Sequence, residues 1–213
     1  MCVMSKFLDK IIERAKTDKQ KIVLPEGSDI RTVQAARAIL DAGIADVIIL
    51  GSQSEVAAHG IDVSDATVID PRESDLLEPY AQKFAEPRKK KGVTINEARE
   101  QMKDESYFGV MMVYMDDADG MVSGACHSTA DTLRPALQIL KTAPGTELVS
   151  SFFVEDVPDC PYGDDGLFVF ADCALNIYPT AEELAEIAIA SANSFEQLCG
   201  GEPRVAMLSY SSY

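Results

Sequence analysis

The chain has 213 residues, and its 46% of hydrophobic residues is enough for the core of one large domain or two small ones. Its formal net charge is −16, and so negative a surface repels phosphate backbones, which argues against a nucleic-acid partner. No apolar run approaches the length of about 18 residues that is needed to span a bilayer. The N-terminal segment carries charges where a signal peptide is apolar. We therefore expect a cytoplasmic protein without membrane contact.

The first part of the chain alternates between short apolar runs and amphipathic segments. Buried strands are predicted at residues 21–24, 45–51 and 67–70, and helices between them at residues 29–43 and 52–60. Gly43 stands at the end of the first of these helices as a stop signal. Strands that alternate with helices through short connections predict a parallel sheet with right-handed crossovers, and therefore an α/β fold.

The middle of the chain is predicted to be mostly helical. Two helical pieces are expected over residues 74–103, separated at the stretch PRKKKGVT. The apolar run SYFGVMMVYMDD is compatible with a strand or with a buried helix, because periodicity does not separate the two. GMVSGA predicts a short strand, and DTLRPALQILKT predicts a helix that Pro135 enters near its first turn.

The remaining residues start a second series of elements. Strands are predicted within residues 147–158 and 167–175, and again at residues 204–211. A helix over residues 178–201 is indicated by a capping-box pattern at its start and a glycine at its end. A Pro-Gly pair before this series predicts the domain boundary, with a first α/β domain at 1–144 and a second at 145–213.

The segment SGACHSTADTLRPAL concentrates polar side chains where a strand gives way to a helix. Free N–H groups at a helix N-terminus favour an anion, the hydroxyls of Ser128, Thr129 and Thr132 are donors, and Arg134 adds a positive charge. The alternative is that one hydroxyl caps the helix while Arg134 pairs with a surface carboxylate. The residues alone leave both interpretations open.

Arg88 begins a basic run that continues to Lys91. Such a run is commonly a solvated helix end. In a chain of net charge −16 it is equally well placed to attract an anionic ligand.

Other familiar motifs are missing from the sequence. It contains no GxGxxG, GxxxxGK[ST] or GxSxG, and its five cysteines form no CxxC pair, so we expect reduced thiols and no metal site. His127 has no evident carboxylate partner and is interpreted as a structural histidine. Asp172 and Cys173 follow a strand, where α/β folds place ligands, although a helix-capping Asp beside a buried Cys is the favoured interpretation.

Several segments, taken in order, closely resemble the phosphate acetyltransferase (phosphotransacetylase) family: KIVLPEGSDIRTVQAA, PRKKKGVT, YFGVMMVYMDDADGMVSGACHSTADTLRPALQILKT, GLFVFADCALNIYPTAEELAEIA and RVAMLSYS. The related phosphate butyryltransferases match less well. The resemblance implies two α/β domains flanking a cleft, similar to isocitrate and isopropylmalate dehydrogenases, and a homodimer. It also favours a helix for YFGVMMVYM.

The resemblance implies interconversion of acetyl-CoA and phosphate with CoA and acetyl phosphate, with coenzyme A as a substrate and no tightly bound cofactor. By motif, Ser128, Thr129 and Thr132 would line the phosphate or acetyl phosphate pocket. Arg134 and Arg88 would be the substrate-binding arginines that contact CoA or phosphate oxygens.

The resemblance covers the front part of the family's enzymes and leaves out their C-terminal third, so the first domain is expected to lack its C-terminal completion and the second domain to be incomplete. The catalytic aspartate of the family is expected beyond Tyr213. Because acyl transfer needs a base near the thiol, we expect this chain alone to be inactive or severely impaired. The alternative is a non-catalytic module, derived from the family, that binds phosphate or CoA or serves in an interaction.

Overall fold

The computed structural model describes residues 6–208, which form two compact units. One unit holds residues 12–141, and the other holds residues 142–208 together with residues 6–11. The division after residue 141 lies close to the Pro-Gly pair at which the sequence predicted a boundary. No helix within residues 6–208 combines the length and the apolar composition that a bilayer crossing requires.

The larger unit alternates strands and helices along most of its length. Its elements in chain order, with the helix that leads into it, are α1 (Lys6–Thr17), β1 (Gln20–Leu24), α2 (Ile30–Ala42), β2 (Ala45–Leu50), α3 (Gln53–Ala58), β3 (Thr67–Ile69), α4 (Leu77–Ala85), a 3₁₀ helix (Glu86–Lys91), α5 (Ile95–Gln101), α6 (Glu105–Tyr114), β4 (Gly120–Met121) and α7 (Thr129–Ile139).

The four strands form one parallel sheet in the order β3-β2-β1-β4. Strand β1 is central, and Ile22 lies opposite Val47 of β2 on one side and Gly120 of β4 on the other. Val23 and Leu24 are both buried although they point to opposite faces, as expected for a strand covered on both sides. The predicted α/β fold with a parallel sheet is confirmed.

Successive strand residues feed two separate cores. Val23, Ile48 and Leu50 pack on the face covered by α4 to α7. Their strand neighbours Leu24, Val47 and Ile49 pack on the opposite face, which α2 and α3 cover. The first core is the larger and contains the aromatic side chains of Tyr80 and Phe108. The sheet is therefore the middle layer of a three-layer unit.

Helix α6 resolves the ambiguous apolar run, because Glu105–Tyr114 is helical. Its residues from Ser106 to Met112 are all buried, so the helix has no polar face in this part and its sequence shows no amphipathic pattern. The helix expected from the resemblance is confirmed, and the strand alternative is wrong.

Two other boundaries differ from the prediction. Helix α7 begins earlier than expected, at Thr129, because Ser128 caps it. Pro135 consequently lies inside the helix and not near its first turn. The strand expected over 120–125 is reduced to the two residues of β4, and the chain from 122 to 128 forms a loop.

The smaller unit contains an antiparallel pair and one long helix: β5 (Phe152–Asp156), β6 (Leu167–Ala171) and α8 (Ala181–Cys199). Thr180 and Glu183 form the predicted capping box of α8, and Gly200 ends the helix with a positive φ of 75°. Residues 204–208 form no strand, contrary to the prediction, and the rest of that predicted strand lies outside the described residues.

Candidate functional site

The carboxyl ends of β1 and β4 meet at the point where the strand order of the sheet reverses. The chain proceeds from β1 outward to β2 and β3, and β4 is added on the other side of β1. Parallel α/β sheets bind ligands at such a switch point. Here it is formed by Glu26, which follows β1, and by residues 122–128, which follow β4 and are called the β4–α7 loop below.

Glu26 is 2% exposed and binds the β4–α7 loop through both carboxylate oxygens. Oε2 accepts hydrogen bonds from the backbone N–H groups of Gly124 at 3.0 Å and Ala125 at 2.8 Å. Oε1 accepts from the backbone N–H groups of Cys126 at 2.9 Å and His127 at 3.1 Å. The ring Nδ1 of His127 lies 2.7 Å from Oε1 as a further partner. One buried side chain thus occupies four consecutive backbone donors.

The charge of Glu26 is maintained by these bonds. Burial alone raises the pKa of the carboxyl group, but hydrogen bonds from Cys126, Ala125, His127 and Gly124 outweigh it and lower the pKa to about 2. Convergent backbone N–H groups carry partial positive charge and favour an anion. Glu26 is therefore ionised at neutral pH despite its burial.

Arg31 binds a backbone carbonyl group of the same loop. Its Nη2 donates to the backbone oxygen of Ala125. The guanidinium is in turn oriented by Asp29, which accepts from Nε at 3.0 Å and from Nη2 at 2.7 Å. Asp29 also caps α2, so this arrangement is built on the start of a helix. The segment after β1 thus fixes both the donors and an acceptor of the β4–α7 loop.

Glu26, Cys126 and His127 place three possible metal-ligand atoms within 4.8 Å of one another. The donor set does not suit a cation, because the carboxylate lone pairs already accept four backbone N–H groups whose partial charges are positive. Burial also raises the pKa of the Cys126 thiol, with the negative charge of Glu26 acting in the same direction, which disfavours the thiolate that a metal needs. The cluster therefore fits an anchored loop better than a metal centre.

The predicted hydroxyl residues occupy different environments. Ser128 caps α7, since its Oγ accepts from the N–H of Asp131 at 3.2 Å and donates to Asp131 Oδ2 at 2.6 Å. Thr129 is exposed at the first position of the helix. The Oγ1 of Thr132 is sealed from solvent without a hydrogen-bond partner. Ser128 and Thr129 are therefore exposed residues whose hydroxyls a ligand can reach, whereas the hydroxyl of Thr132 is not accessible in this structure.

The two predicted arginines differ in accessibility. The side chain of Arg134 is 59% exposed, and its Nη1 lies 3.9 Å from Asp131. The guanidinium of Arg88 lies 3.9 Å from the centre of the Phe84 ring. Its Nη1 donates to the Phe84 carbonyl at 2.8 Å, and its Nη2 donates to the carbonyl of Gln138 in α7. Arg88 thus supports α7, while Arg134 projects from it.

Arg88 and Tyr107 both bind Gln138 of α7. Burial raises the pKa of Tyr107, the positive charges of Arg134 and Arg88 act in the opposite direction, and the negative charge of Asp104 adds to the effect of burial. The phenol donates to Gln138 Oε1 at 3.1 Å, and Gln138 lies one helical turn after Arg134 on the same face of α7. The described part of this otherwise acidic chain therefore gathers two positive charges beside α7.

Asp172 and Cys173 form a separate arrangement in the smaller unit. The carboxylate accepts from the N–H groups of Ala174 at 2.7 Å and Leu175 at 2.9 Å and from Ser151 Oγ at 2.6 Å. These bonds stabilise a turn, so the expected helix cap is wrong, because no helix begins there. Cys173 is partly exposed and not buried as expected, and its Sγ donates to Ser151 Oγ at 3.3 Å.

Sequence reasoning missed Glu26 and Arg31 and left His127 without a partner. The available signal was their position, since Glu26 follows one predicted parallel strand and His127 follows another, and such strand ends share an edge. The strand order needed to make them neighbours was not predicted.

This arrangement defines the class of protein: an α/β protein in which an internal carboxylate organises the loop at the switch point of a parallel sheet. The family model described as phosphate acetyl/butaryl transferase matches residues 6–213. The chain therefore belongs to the phosphate acetyl/butaryl transferase family, and the resemblance inferred from its sequence is confirmed.

Named relatives agree with this assignment. The chain is 56% identical over 208 residues to a phosphate acetyltransferase of Thermoanaerobacterium thermosaccharolyticum, a match that covers 97% of this chain and 63% of that protein. It is 56% identical over 209 residues to the phosphate acetyltransferase of Acetivibrio thermocellus, with the same coverage. A phosphotransacetylase structure from Streptococcus pyogenes superposes with a TM-score of 0.88 at 43% identity, over 98% of this chain and 63% of that one. The chain thus spans 63% of the length of these relatives.

Proposed function

We propose that this chain supplies the phosphate-binding surface of a phosphate acetyltransferase, the enzyme that interconverts acetyl-CoA and phosphate with CoA and acetyl phosphate. The names of its relatives support the activity. The observation that carries the site is that Arg134 projects from α7 while Arg88 donates a hydrogen bond to the Gln138 carbonyl of the same helix. In a chain of net charge −16, two guanidinium groups held at one helix favour an anionic ligand.

Each predicted residue has a distinct proposed role. Arg134 contacts a phosphate oxygen of the substrate directly, because its side chain is the exposed one of the two arginines. Thr129 and Ser128 donate hydroxyl hydrogen bonds to the same group, and Ser128 exchanges its bond to Asp131 for this purpose. Arg88 binds α7 through the Gln138 carbonyl and adds its positive charge to the site. The hydroxyl of Thr132 binds the phosphate group only after its side chain rotates.

The proposed reaction is direct acyl transfer between CoA and phosphate. The CoA thiol loses its proton to the family's aspartate base and attacks the acetyl carbonyl, a carbon–sulfur bond forms, and the carbon–oxygen bond to phosphate breaks as phosphate leaves. Positive charge at Arg134 stabilises the leaving phosphate, and in the reverse direction it orients the attacking phosphate. Coenzyme A acts as a substrate, and no tightly bound cofactor is required.

The broader assignments are part of the same proposal. The complete fold has two α/β domains flanking a cleft, similar to isocitrate and isopropylmalate dehydrogenases. The enzyme works as a homodimer in the cytoplasm. The relatives named phosphate acetyltransferase and the structures of phosphotransacetylases support this assignment at the level of the family.

Calorimetric titration of inorganic phosphate and of CoA into the 213-residue chain tests the proposal. We expect Arg134→Ala to weaken phosphate binding about tenfold or more, since it removes a charge-assisted contact. Arg72→Ala is the matched control, because it removes the same charge after β3, at the opposite edge of the sheet. Equal affinities of the wild type and Arg134→Ala would show that Arg134 does not bind the ligand. An assay of acetyl phosphate formation by the same proteins tests the expectation that this chain alone is inactive or severely impaired, and rapid turnover would overturn that expectation.

A further inference from the structure

We propose that Glu26 is a positioning residue of the phosphate site: its carboxylate takes the place of a ligand anion on the backbone N–H groups of residues 124–127 and thereby fixes the start of α7. This inference rests on the proposed function for its effect on phosphate. The occupation of the β4–α7 loop by a carboxylate is independent of that function.

The β4–α7 loop has the geometry of a backbone anion site. Four consecutive N–H groups point at the two oxygens of one carboxylate, at distances between 2.8 and 3.1 Å. Gly124 permits this convergence with a φ of 117°, which other residues rarely adopt. Similar concavities of backbone N–H groups hold phosphate in nucleotide-binding proteins. In this chain the donors are already used, so an external phosphate has to bind farther along, on the side chains of α7.

Glu26 connects the position of α7 to the rigid centre of the sheet. It follows central strand β1 by two residues and is itself buried, and Gly27 beside it donates a hydrogen bond to the Leu50 carbonyl of β2 at 2.9 Å. The last backbone N–H group that Glu26 binds is that of His127, and the next residue, Ser128, is the N-cap of α7. Any displacement of the loop therefore moves Thr129 and Arg134 as well. The carboxylate determines where these two side chains present themselves to phosphate.

Removal of the carboxylate leaves a defined vacancy. In Glu26→Ala the four N–H groups converge on an empty position, and unpaired partly buried donors are unfavourable. Formate carries the same two oxygens and is small enough to replace the missing group. In Glu26→Gln the position stays filled, but an amide nitrogen replaces one acceptor, so formate cannot enter. The two variants therefore separate loss of the anion from loss of volume.

The experiment compares the wild type, Glu26→Ala, Glu26→Gln and the surface control Glu100→Ala, each titrated with sodium formate and, at equal ionic strength, with sodium chloride. We expect formate to raise the melting temperature of Glu26→Ala alone, by about 3 °C or more near saturation. It should also return the amide proton resonances of Ala125, Cys126 and His127 towards their wild-type positions.

The second measurement is the affinity for inorganic phosphate. We expect Glu26→Ala and Glu26→Gln to bind phosphate at least about fivefold more weakly than the wild type, and formate to restore the affinity of Glu26→Ala only. If Glu26→Ala folds only when formate is present, the anion requirement is supported directly. If formate neither stabilises nor refolds Glu26→Ala, the anion assignment is wrong.

The outcomes separate this inference from the proposed function. Formate rescue of Glu26→Ala combined with unchanged phosphate affinity in both variants would overturn the positioning role. A wild-type chain that binds no phosphate would contradict the proposed function and with it the positioning role, whereas the formate titration would still decide whether the β4–α7 loop is an anion site.

Discussion

The hydroxyl group of Tyr80 donates a hydrogen bond to Oδ2 of Asp117 at 2.5 Å. Tyr80 lies in α4 and is 1% exposed, with its ring 5.0 Å from that of Phe108. Asp117 lies between α6 and β4, so the bond joins helix α4 to the connection between α6 and β4. Burial raises the pKa of Tyr80, and the hydrogen bond to the Asp117 carboxylate raises it further. The polar end of a core aromatic is thus satisfied by a charged acceptor.

Replacement of Tyr80 by Phe is expected to lower the free energy of unfolding by about 1–3 kcal/mol, because the Asp117 carboxylate loses a charge-assisted bond while the packing of the ring is retained. Chemical denaturation followed by circular dichroism measures this difference. Tyr114→Phe is the control, since that side chain is 44% exposed and should change stability little. Equal effects of the two substitutions would show that the bond to Asp117 contributes nothing.

The fold was largely predictable because its strands are short, apolar and separated by helices. The pattern around Val23 and Ile49 predicted parallel strands, and the structure confirms them. Helix α6 was different, since Ser106 to Met112 are buried on all sides and offer no amphipathic period. Composition alone therefore did not decide whether this segment is a helix or a strand. The resemblance supplied what periodicity could not.

The candidate site was predictable only in its local part. Ser128, Thr129 and Arg134 stand close together in the sequence, so their concentration of donors is visible without a structure. Glu26 acts on residues about a hundred positions away, through contacts that depend on β1 and β4 being neighbours. That adjacency results from tertiary structure, and no pattern within either segment indicates it.

Glu105 should make the stability of the larger unit decline as the pH rises towards neutrality. Burial is the main cause that raises its pKa to about 7, the negative charges of Glu55 and Asp104 add to it, and Arg72 and His127 oppose it. A carboxyl group whose pKa is higher in the folded state stabilises the fold below its unfolded pKa of 4.5, and that contribution is lost as the pH passes through about 7.

Glu105→Gln removes this titration. Relative to the wild type, the variant should gain about 1–3 kcal/mol of unfolding free energy between pH 5 and pH 8. Thermal denaturation at several pH values measures the gain. Glu100→Gln removes an exposed carboxylate from the preceding helix and should follow the wild-type profile. A constant difference between Glu105→Gln and the wild type across this range would contradict the assignment.

Gly27 is required by a close approach of the chain after β1 to β2. A Cβ at this position would lie 2.5 Å from the Leu50 carbonyl oxygen and 2.7 Å from Ile49 Cγ2. Neither atom can withdraw without disturbing the sheet, so Gly27→Ala should lower the unfolding free energy by about 2–3 kcal/mol. Gly60→Ala is the comparison, because its φ of 67° is strained for alanine but no atom lies within 4 Å of the added Cβ.

The comparison separates steric overlap from backbone strain. Gly60→Ala should lower the unfolding free energy by only about 1 kcal/mol. Urea denaturation of both variants measures the difference. A cost for Gly27→Ala no larger than that for Gly60→Ala would mean that the strand end relaxes easily.

Asp172 should control the local stability of the turn that follows β6. Burial raises the pKa of this carboxyl group, but hydrogen bonds from Leu175, Ser151, Ala174 and Asn176 outweigh it and hold the pKa well below its usual range. Because the folded-state pKa is depressed, the stabilisation is present above the unfolded value of 3.8 and is lost as the pH falls. Hydrogen exchange of the Ala174 and Leu175 amides, which donate to Oδ1, reports this stability.

Asp172→Asn replaces one acceptor oxygen by an NH₂ group that faces other donors, among them the Asn176 amide, which donates to Oδ2 at 2.5 Å. We expect exchange of these amides at neutral pH to accelerate about tenfold to a hundredfold, equivalent to about 1.4–2.8 kcal/mol. Glu155→Gln removes a charge from the exposed face of β5 and should leave the same amides protected. The difference between Asp172→Asn and the wild type should shrink as the pH falls from 3.8 towards the depressed folded-state pKa, because the carboxyl group is then protonated in the open state and opening of the wild-type turn takes up a proton. A pH-independent difference would assign the effect to geometry instead of charge.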